Sequence, residues 1–317
     1  MILTNLNDLR LEEPSAIALG FFDGVHLGHQ AVIGRAVARR GEGLVPSVFT
    51  FTMGGGAPAG KSGHTYLMTP EERYAAMERL GVQRVFCPDF SQFRDLSPRE
   101  YVEDLLIGKL KARALCCGAD HHFGKNAAGD VELLRELCRP HGVRVEVVQP
   151  VLLEGGERIS SSAIRRALTQ GQPAAAARML GRPFGFEQRV VHGKALGRKL
   201  QFPTINQQLP TGITLPAQGV YATAVRVEGK FHPGVTNIGP QPTVDGNRVL
   251  AETYIIGYQG DLYGEMVWVG FLDYLRPVEK FASLEELRAQ LARDTQQAQA
   301  LAAPYCAKAA EGKILPL

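Results

Sequence analysis

The chain has 317 residues, of which 45% are hydrophobic and 21% charged, with a formal net charge of +3. This is long for one domain and comfortable for two, with the composition of an ordinary globular protein. So mild a charge gives no ground for a nucleic-acid partner, and no apolar run approaches the ~18 residues of a membrane span. The start, MILTNLNDLRLEEP, lacks a basic region followed by an apolar one, so no signal peptide is expected and the cytoplasm is the expected compartment. The five cysteines, Cys87, Cys116, Cys117, Cys138 and Cys306, form no CxxC pair. An odd count without that spacing predicts free, mostly buried thiols, not a disulfide framework or a zinc site.

Residues 16–22 (AIALGFF) form a short apolar run of strand length. Residues 30–40 (QAVIGRAVARR) have helical spacing, with Ala31, Ile33, Ala36 and Val37 near one face and Arg35, Arg39 and Arg40 on the other. Between them stands Gly20-Phe21-Phe22-Asp23-Gly24-Val25-His26-Leu27-Gly28-His29. A helix start offers unpaired N–H groups and a positive dipole end, which suit a phosphate. His26 and His29, at spacing three, can both face that phosphate, and glycines let the backbone come close. The pattern reads as a nucleotide site that stabilises charge on a reacting phosphate.

Further strands are predicted at 45–53, 84–87, 114–117 and 143–148. Thr69-Pro70-Glu71-Glu72 and Ser97-Pro98-Arg99-Glu100 read as helix starts, the second as a capping box. The alternation predicts a parallel, doubly wound, Rossmann-like sheet with ligands at the carboxyl ends of its strands. Gly55-Gly56-Ala57-Pro58-Ala59-Gly60-Lys61-Ser62 matches the P-loop pattern. A P-loop runs straight into a helix at its Lys-Ser pair, whereas the next helix start here is Thr69-Pro70, so a chance match in a glycine-rich loop is the reading. Residues 159–165 (ISSSAIR) read either as a serine cap or as a phosphate site, since Arg165 in the first turns opposes the helix dipole unless an anion binds there.

The pattern changes around 170–186, beyond which short strands follow at 189–192, 219–227, 249–256 and 265–272. Glu228-Gly229 and Asp245-Gly246-Asn247 are hairpin-type turns, and this half reads as an antiparallel barrel. A last helix starts at Ser283 with Glu286 completing a capping box, and Leu284, Leu287 and Leu291 are expected to pack into the core. Residues 189–206 read RVVHGKALGRKLQFPTIN. Gly193 and Gly197 flank a short basic loop that can wrap phosphates with backbone N–H groups. Thr204 and Asn206, two apart in an extended segment, share one face and suit Mg²⁺ as hard oxygen ligands.

FDGVHLGHQ carries the HxGH signature of the nucleotidylyltransferase superfamily and resembles the adenylyltransferase half of the bacterial bifunctional riboflavin kinase/FAD synthetases. ISSSAIR resembles that family's SSxxxR motif, which implies that Ser161 and Arg165 are phosphate ligands. Residues 118–130 (GADHHFGKNAAGD) resemble its GxDFxFGxxxxGD loop, which implies a polar contact from Asp120, while His121 and His122 depart from it. The family's TFxPHP is replaced by Thr50-Phe51-Thr52-Met53-Gly54-Gly55. Losing one charge-stabilising donor costs on the order of 3 kcal/mol, and Lys61 of the glycine-rich loop is the candidate substitute.

RVVHGKALGRKLQFPTIN is similar to the riboflavin kinase signature GxxxGRxLGFPTAN, with Gln201 for a glycine and Ile205 for an alanine. Matches continue through Gly219-Val220-Tyr221, Thr236-Asn237-Ile238-Gly239, Pro242-Thr243, Glu252-Thr253-Tyr254-Ile255, Asp261-Leu262-Tyr263-Gly264 and Leu275-Arg276-Pro277. The resemblance thus covers nearly the whole chain. It implies an adenylyltransferase domain over 1–182, and a riboflavin kinase-like barrel with its C-terminal helix over 183–317. It implies Glu252 as general base and His26 and His29 as stabilisers of phosphate charge. Binding roles follow for Gly20, Phe22, Asp23, Gly24, Gly193, Gly197, Lys199 and Asn237, with Arg276 and the C-terminal helix closing over a flavin. Tyr254 stands where the family often has histidine.

The implied chemistry is riboflavin to FMN and FMN to FAD, with ATP as co-substrate, Mg²⁺ as cofactor and a monomer or weak homo-oligomer acting on small molecules. The alternatives are a kinase with a weak adenylyltransferase half, and a flavin- or nucleotide-binding regulatory module without turnover. Intact Thr204, Asn206 and Glu252 argue against the second. A tRNA-synthetase relationship fails for want of a basic face, and a P-loop NTPase would hydrolyse ATP without flavin.

Overall fold

A computed structural model of the chain describes all residues except 7, 8, 10, 55–64, 194–201, 244, 245 and 312–317, and the side chains outside 240–248. The Gly55–Ser62 loop with Lys61, and Gly197 and Lys199, lie outside the described residues. The chain forms two compact units, Met1–Thr65 with Pro70–Ser160 and Tyr66–Thr69 with Ser161–Leu317.

In the first unit β1 (Ile2–Leu3), β2 (Ser15–Leu19), β3 (Val45–Phe49), β4 (Arg84–Phe86), β5 (Ala112–Gly118) and β6 (Arg144–Val148) form one sheet in the order β1-β4-β3-β2-β5-β6. Every pair is parallel. The five strands expected from the sequence are present, and β1 is added beside β4 because two residues carry no readable period. The helices are α1 (Leu27–Ala38), α2 (Pro70–Arg79), a π-helix at Glu100–Lys109 and α3 (Val131–Cys138). The capping box forms: the Glu100 N–H reaches Ser97 Oγ at 3.3 Å and the Ser97 N–H reaches Glu100 Oε2 at 2.7 Å. Ile17, Leu19, Phe49, Phe86 and Leu115 from the strands pack with Tyr101, Leu105 and Leu106 of the π-helix and Leu134 of α3. α1 buries Val32, Ile33 and Ala36. Strand order reverses at β2, with β3 on one side and β5 on the other, so a crevice opens at the carboxyl end of β2.

The second unit begins with α4 (Ser161–Thr169) and α5 (Pro173–Leu180), which the sequence reading assigns to the first half. Six antiparallel strands follow: β7 (Phe184–Val191), β8 (Thr204–Gln208), β9 (Gly219–Val227), β10 (Lys230–Thr243), β11 (Gly246–Ile255) and β12 (Met266–Arg276). They close as β10-β11-β8-β7-β12-β9. Glu228 and Gly229, at φ 49° and 78°, make the tight turn joining β9 to β10, both central residues having the positive φ that such a turn requires. Phe186, Val190, Tyr221, Thr223, Val225, Thr253, Val267, Val269 and Phe271 alternate onto the barrel interior, all buried. Thr223, Thr236 and Thr253 meet there in a chain of 2.9 Å hydroxyl contacts, which satisfies three polar groups on adjacent strands.

The last helix, α6 (Leu284–Ala310), is capped by Ser283, whose Oγ accepts from the Glu286 N–H at 3.1 Å. The expected core role is corrected for Leu284, while Leu287 and Leu291 are half-buried. Leu284 is 71% exposed, and the buried residues of α6 are Asp294, Ala298 and Ala302. They continue the same helical stripe farther along, where Ala298 packs on Val220, Ala222 and Val235 of the outer barrel face.

Candidate active sites

The turn after β2 is built by close approach and strain. A Cβ on Gly20 would come within 2.9 Å of the Phe22 ring, and Phe22 is itself fully buried. Phe22 and Val25 are held at φ 54° and 42°, each costing on the order of 1–3 kcal/mol, with Gly24 between them at φ 83°. His26 closes the turn as the N-cap of α1, its Nδ1 accepting the His29 N–H at 3.2 Å. The His26 and His29 rings stack at 3.5 Å, and Phe22 meets His29 edge-on at 5.3 Å. A Cβ on Gly28 would press on the His26 ring at 3.2 Å. Gly20, Phe22, Asp23, Gly24, His26 and His29 therefore form one compact constellation at a helix N-terminus, an arrangement able to bind a phosphate and stabilise charge on it.

The 118–130 loop is arranged differently. The Asp120 carboxylate is exposed and ion-paired with Arg158. His121 stacks on Phe123 at 5.9 Å, and burial pushes its pKa down to about 4, helped by His122. His122 contacts the Asp120 carbonyl at 3.0 Å, so the adjacent histidines are loop residues with separate surroundings. Ser161 and Arg165 lie in the first turns of α4, which belongs to the second unit.

In the barrel, strand register assembles a row. Asn206 on β8 stands opposite Glu252 on β11, and Glu252 opposite Asn237 on β10. Directly opposed residues share a face, so two amides flank one carboxylate on the outer face of the barrel. Thr204, two residues before Asn206, is on that face too and stands opposite Tyr254. Tyr254 packs edge-on against Phe202 at 5.2 Å. Asn206 Oδ1 and Asn237 Oδ1 are buried acceptors without a partner among the described residues, each a cost of ~1–3 kcal/mol that a cation or donor would relieve. A Cβ on Gly193 would fall 2.4 Å from Asn206 Nδ2, so only glycine lets the chain pass over that amide. An orphaned hard oxygen beneath a glycine, with a hydroxyl on the same face, fits Mg²⁺.

Arg276 stands opposite Val220, itself opposite Asn237, so it ends the same row. Its guanidinium is taken by the buried Asp294 of α6, with Nε at 3.1 Å from both carboxylate oxygens and Nη2 at 2.8 Å from Oδ2. Gln290 adds a donor to Asp294 at 2.7 Å. Asp294 and Gln290 were not foreseen; an acidic residue at a helical spacing from alanines carries no signal until the helix has a neighbour.

A riboflavin kinase family model matches residues 180–302, and an FAD synthetase family model matches residues 9–163. A bifunctional riboflavin kinase/FMN adenylyltransferase of Pseudomonas fluorescens is 38% identical over 311 residues, covering 96% of this chain and 98% of the relative. That of Escherichia coli K12 is 37% identical over 290 residues, covering 89% and 91%. A crystal structure of a Streptococcus pneumoniae chain, described as a macrolide-efflux protein, matches with a TM-score of 0.84 at 32% identity, covering 94% of this chain and 98% of that one. A parallel sheet with a histidine pair at a helix start and a closed barrel with a carboxylate between amides, each matched by its own model, define a two-part enzyme of flavin nucleotide formation. The chain belongs to the bifunctional riboflavin kinase/FMN adenylyltransferase family.

Proposed function

We propose that the two activities are divided along the chain, FMN adenylylation over residues 1–182 and riboflavin phosphorylation over 183–317. The chain is a riboflavin kinase and an FMN adenylyltransferase, ATP-dependent in both reactions. The observation that carries the kinase assignment is Glu252 set between Asn206 and Asn237 on three neighbouring strands.

In the kinase half, the ribityl 5′-oxygen of riboflavin bonds to the γ-phosphorus of ATP as the bond to ADP breaks. Glu252 receives the hydroxyl proton. Thr204 and Asn206 would hold Mg²⁺, which when bound neutralises charge on the ATP phosphates. Gly193, Gly197 and Lys199 are proposed phosphate ligands on the strength of their motif, and Asn237 is a polar contact beside the base. Arg276 acts through its bond to α6, fixing the helix that covers the outer barrel face.

In the adenylyltransferase half, an FMN phosphate oxygen bonds to the α-phosphorus of ATP and pyrophosphate leaves. That nucleophile is already ionised, so no base is required. His26 and His29 stabilise charge on the phosphates, with the turn Gly20, Phe22, Asp23 and Gly24 and the start of α1 cradling them. Ser161 and Arg165 are proposed phosphate ligands on the strength of their motif, and Asp120 orders its loop through Arg158. The setting we propose is cytoplasmic, with small-molecule substrates, no nucleic acid, and a monomer or weak homo-oligomer. No helix among the described residues is long and apolar enough to cross a membrane.

The test is chromatographic: the purified chain with ATP, Mg²⁺ and either riboflavin or FMN. FAD from both substrates is the expected result. FMN from riboflavin with no FAD from either would mean a kinase with a disabled adenylyltransferase half.

A further inference from the structure

Arg73 of α2 is a buried cation, 5% exposed, at the carboxyl ends of three strands. Its Nη1 donates to the Phe21 carbonyl after β2 at 3.2 Å, and its Nη2 lies 3.7 Å from Cys87 Sγ after β4. The Thr50 hydroxyl, after β3, donates to the same Phe21 carbonyl at 2.8 Å. The guanidinium also lies 5.6 Å from the centre of the Phe21 ring and 5.7 Å from that of Tyr74. Its Nε is buried without an acceptor, and it has no carboxylate partner among the described residues. Buried cations are ordinarily paired with anions. Here the protein supplies a carbonyl, a thiol and aromatic faces instead.

Two further facts give this placement meaning. The Phe21 carbonyl is the anchor immediately before Phe22, whose positive φ persists only where the surroundings over-determine it. The strand ends that Arg73 gathers are also where a parallel sheet binds its ligands. Among the described residues, therefore, no carboxylate pairs with the positive charge set next to the turn that presents His26 and His29.

We propose that Arg73 is a positioning residue of adenylyl transfer. It fixes the His26 turn through the Phe21 carbonyl and keeps at the strand ends a positive charge for the anionic nucleotide to balance. The inference rests on placing adenylyl transfer at the His26 turn.

The test compares Arg73→Met and Arg73→Lys in FMN-to-FAD conversion, at low and high ionic strength, with thermal unfolding of the same preparations as the measure of folding. Arg73→Met is expected to raise KM for ATP about tenfold, the scale of one charge-assisted interaction, and to flatten its dependence on ionic strength. Arg73→Lys is expected to recover most of the ATP affinity with a lower kcat, because one ammonium group cannot serve both Phe21 and Cys87. Equal losses of kcat in both variants with KM for ATP unchanged would reduce Arg73 to packing and overturn the proposal, as would no change in either. If Arg73→Met does not fold, the ionic-strength profile of Arg73→Lys decides: a wild-type slope supports the charge and a flat one overturns it. His29→Ala separates the two readings. FAD formation surviving in it would refute the site placement, whereas its loss with both Arg73 variants unaffected would refute only the role of Arg73.

Discussion

The His26 ring accepts the His29 backbone N–H through Nδ1 at 3.2 Å and lies stacked on the His29 ring at 3.5 Å. The cap fixes the tautomer: with Nδ1 an acceptor, neutral His26 carries its proton on Nε2. One contact thus starts α1, satisfies one of its orphan N–H groups and orients a donor. The prediction is that His29→Ala loses FAD formation from FMN by about 10²–10³-fold, the scale of one lost charge-stabilising donor, and keeps FMN formation from riboflavin. Rates of the two conversions on one preparation check it.

Glu252 is the carboxylate between two amides. Glu252→Gln keeps the shape and removes the proton acceptor. Riboflavin phosphorylation is expected to fall by about 10²–10⁴-fold while FMN adenylylation is retained, read from the same chromatogram.

Gly193 leaves room only for its own hydrogen over the Asn206 amide. Gly193→Ala must displace Asn206 or lift the loop, so the Mg²⁺ concentration for half-maximal kinase activity is expected to rise. The Mg²⁺ dependence of adenylyl transfer serves as the internal reference and is expected to stay unchanged.

Asp294 is buried and accepts Arg276 through both carboxylate oxygens. Breaking one partner of a buried pair costs about 3–5 kcal/mol because the other charge is stranded. Asp294→Asn is expected to lower the melting temperature of the barrel unit and raise KM for riboflavin, measured by calorimetry and by kinase kinetics.

His121 has its pKa pushed down to about 4, first by burial and then by His122. The unfolded chain binds its proton near pH 6.5, so stability is fully present above that pH and is lost as pH falls toward 4. His121→Phe removes this group, and the drop in stability between pH 6.5 and 4 is expected to shrink in urea titrations at stepped pH.

Most strands, the turn before α1 and the caps at Ser97 and Ser283 were legible in the sequence because each is local: a period, a glycine, a serine three residues before a glutamate; β1, too short for a period, and β10, broken by Pro233, Gly234 and Gly239, were not. The row Asn206–Glu252–Asn237 was only half legible. Spacing put Thr204 and Asn206 on one face, but their meeting with Glu252 and Asn237 depends on register, which the resemblance implied and spacing alone could not give. The exposure of Leu284 was not legible because the stripe is continuous, and only the contact with Val220 and Ala222 decides which turns of α6 are fully buried. Arg73 was invisible for a related reason. A basic residue in an amphipathic helix reads as solvated, and here the ends of β2, β3 and β4 surround it instead.

Two independent sites acting in series can be separated by complementation. His29→Ala and Glu252→Gln are each incubated with riboflavin, ATP and Mg²⁺, alone and mixed. The first is expected to yield FMN without FAD, the second neither FMN nor FAD, and the mixture FAD. A mixture that accumulates FMN without FAD, or a folded single variant that has lost both reactions, would contradict two independent sites.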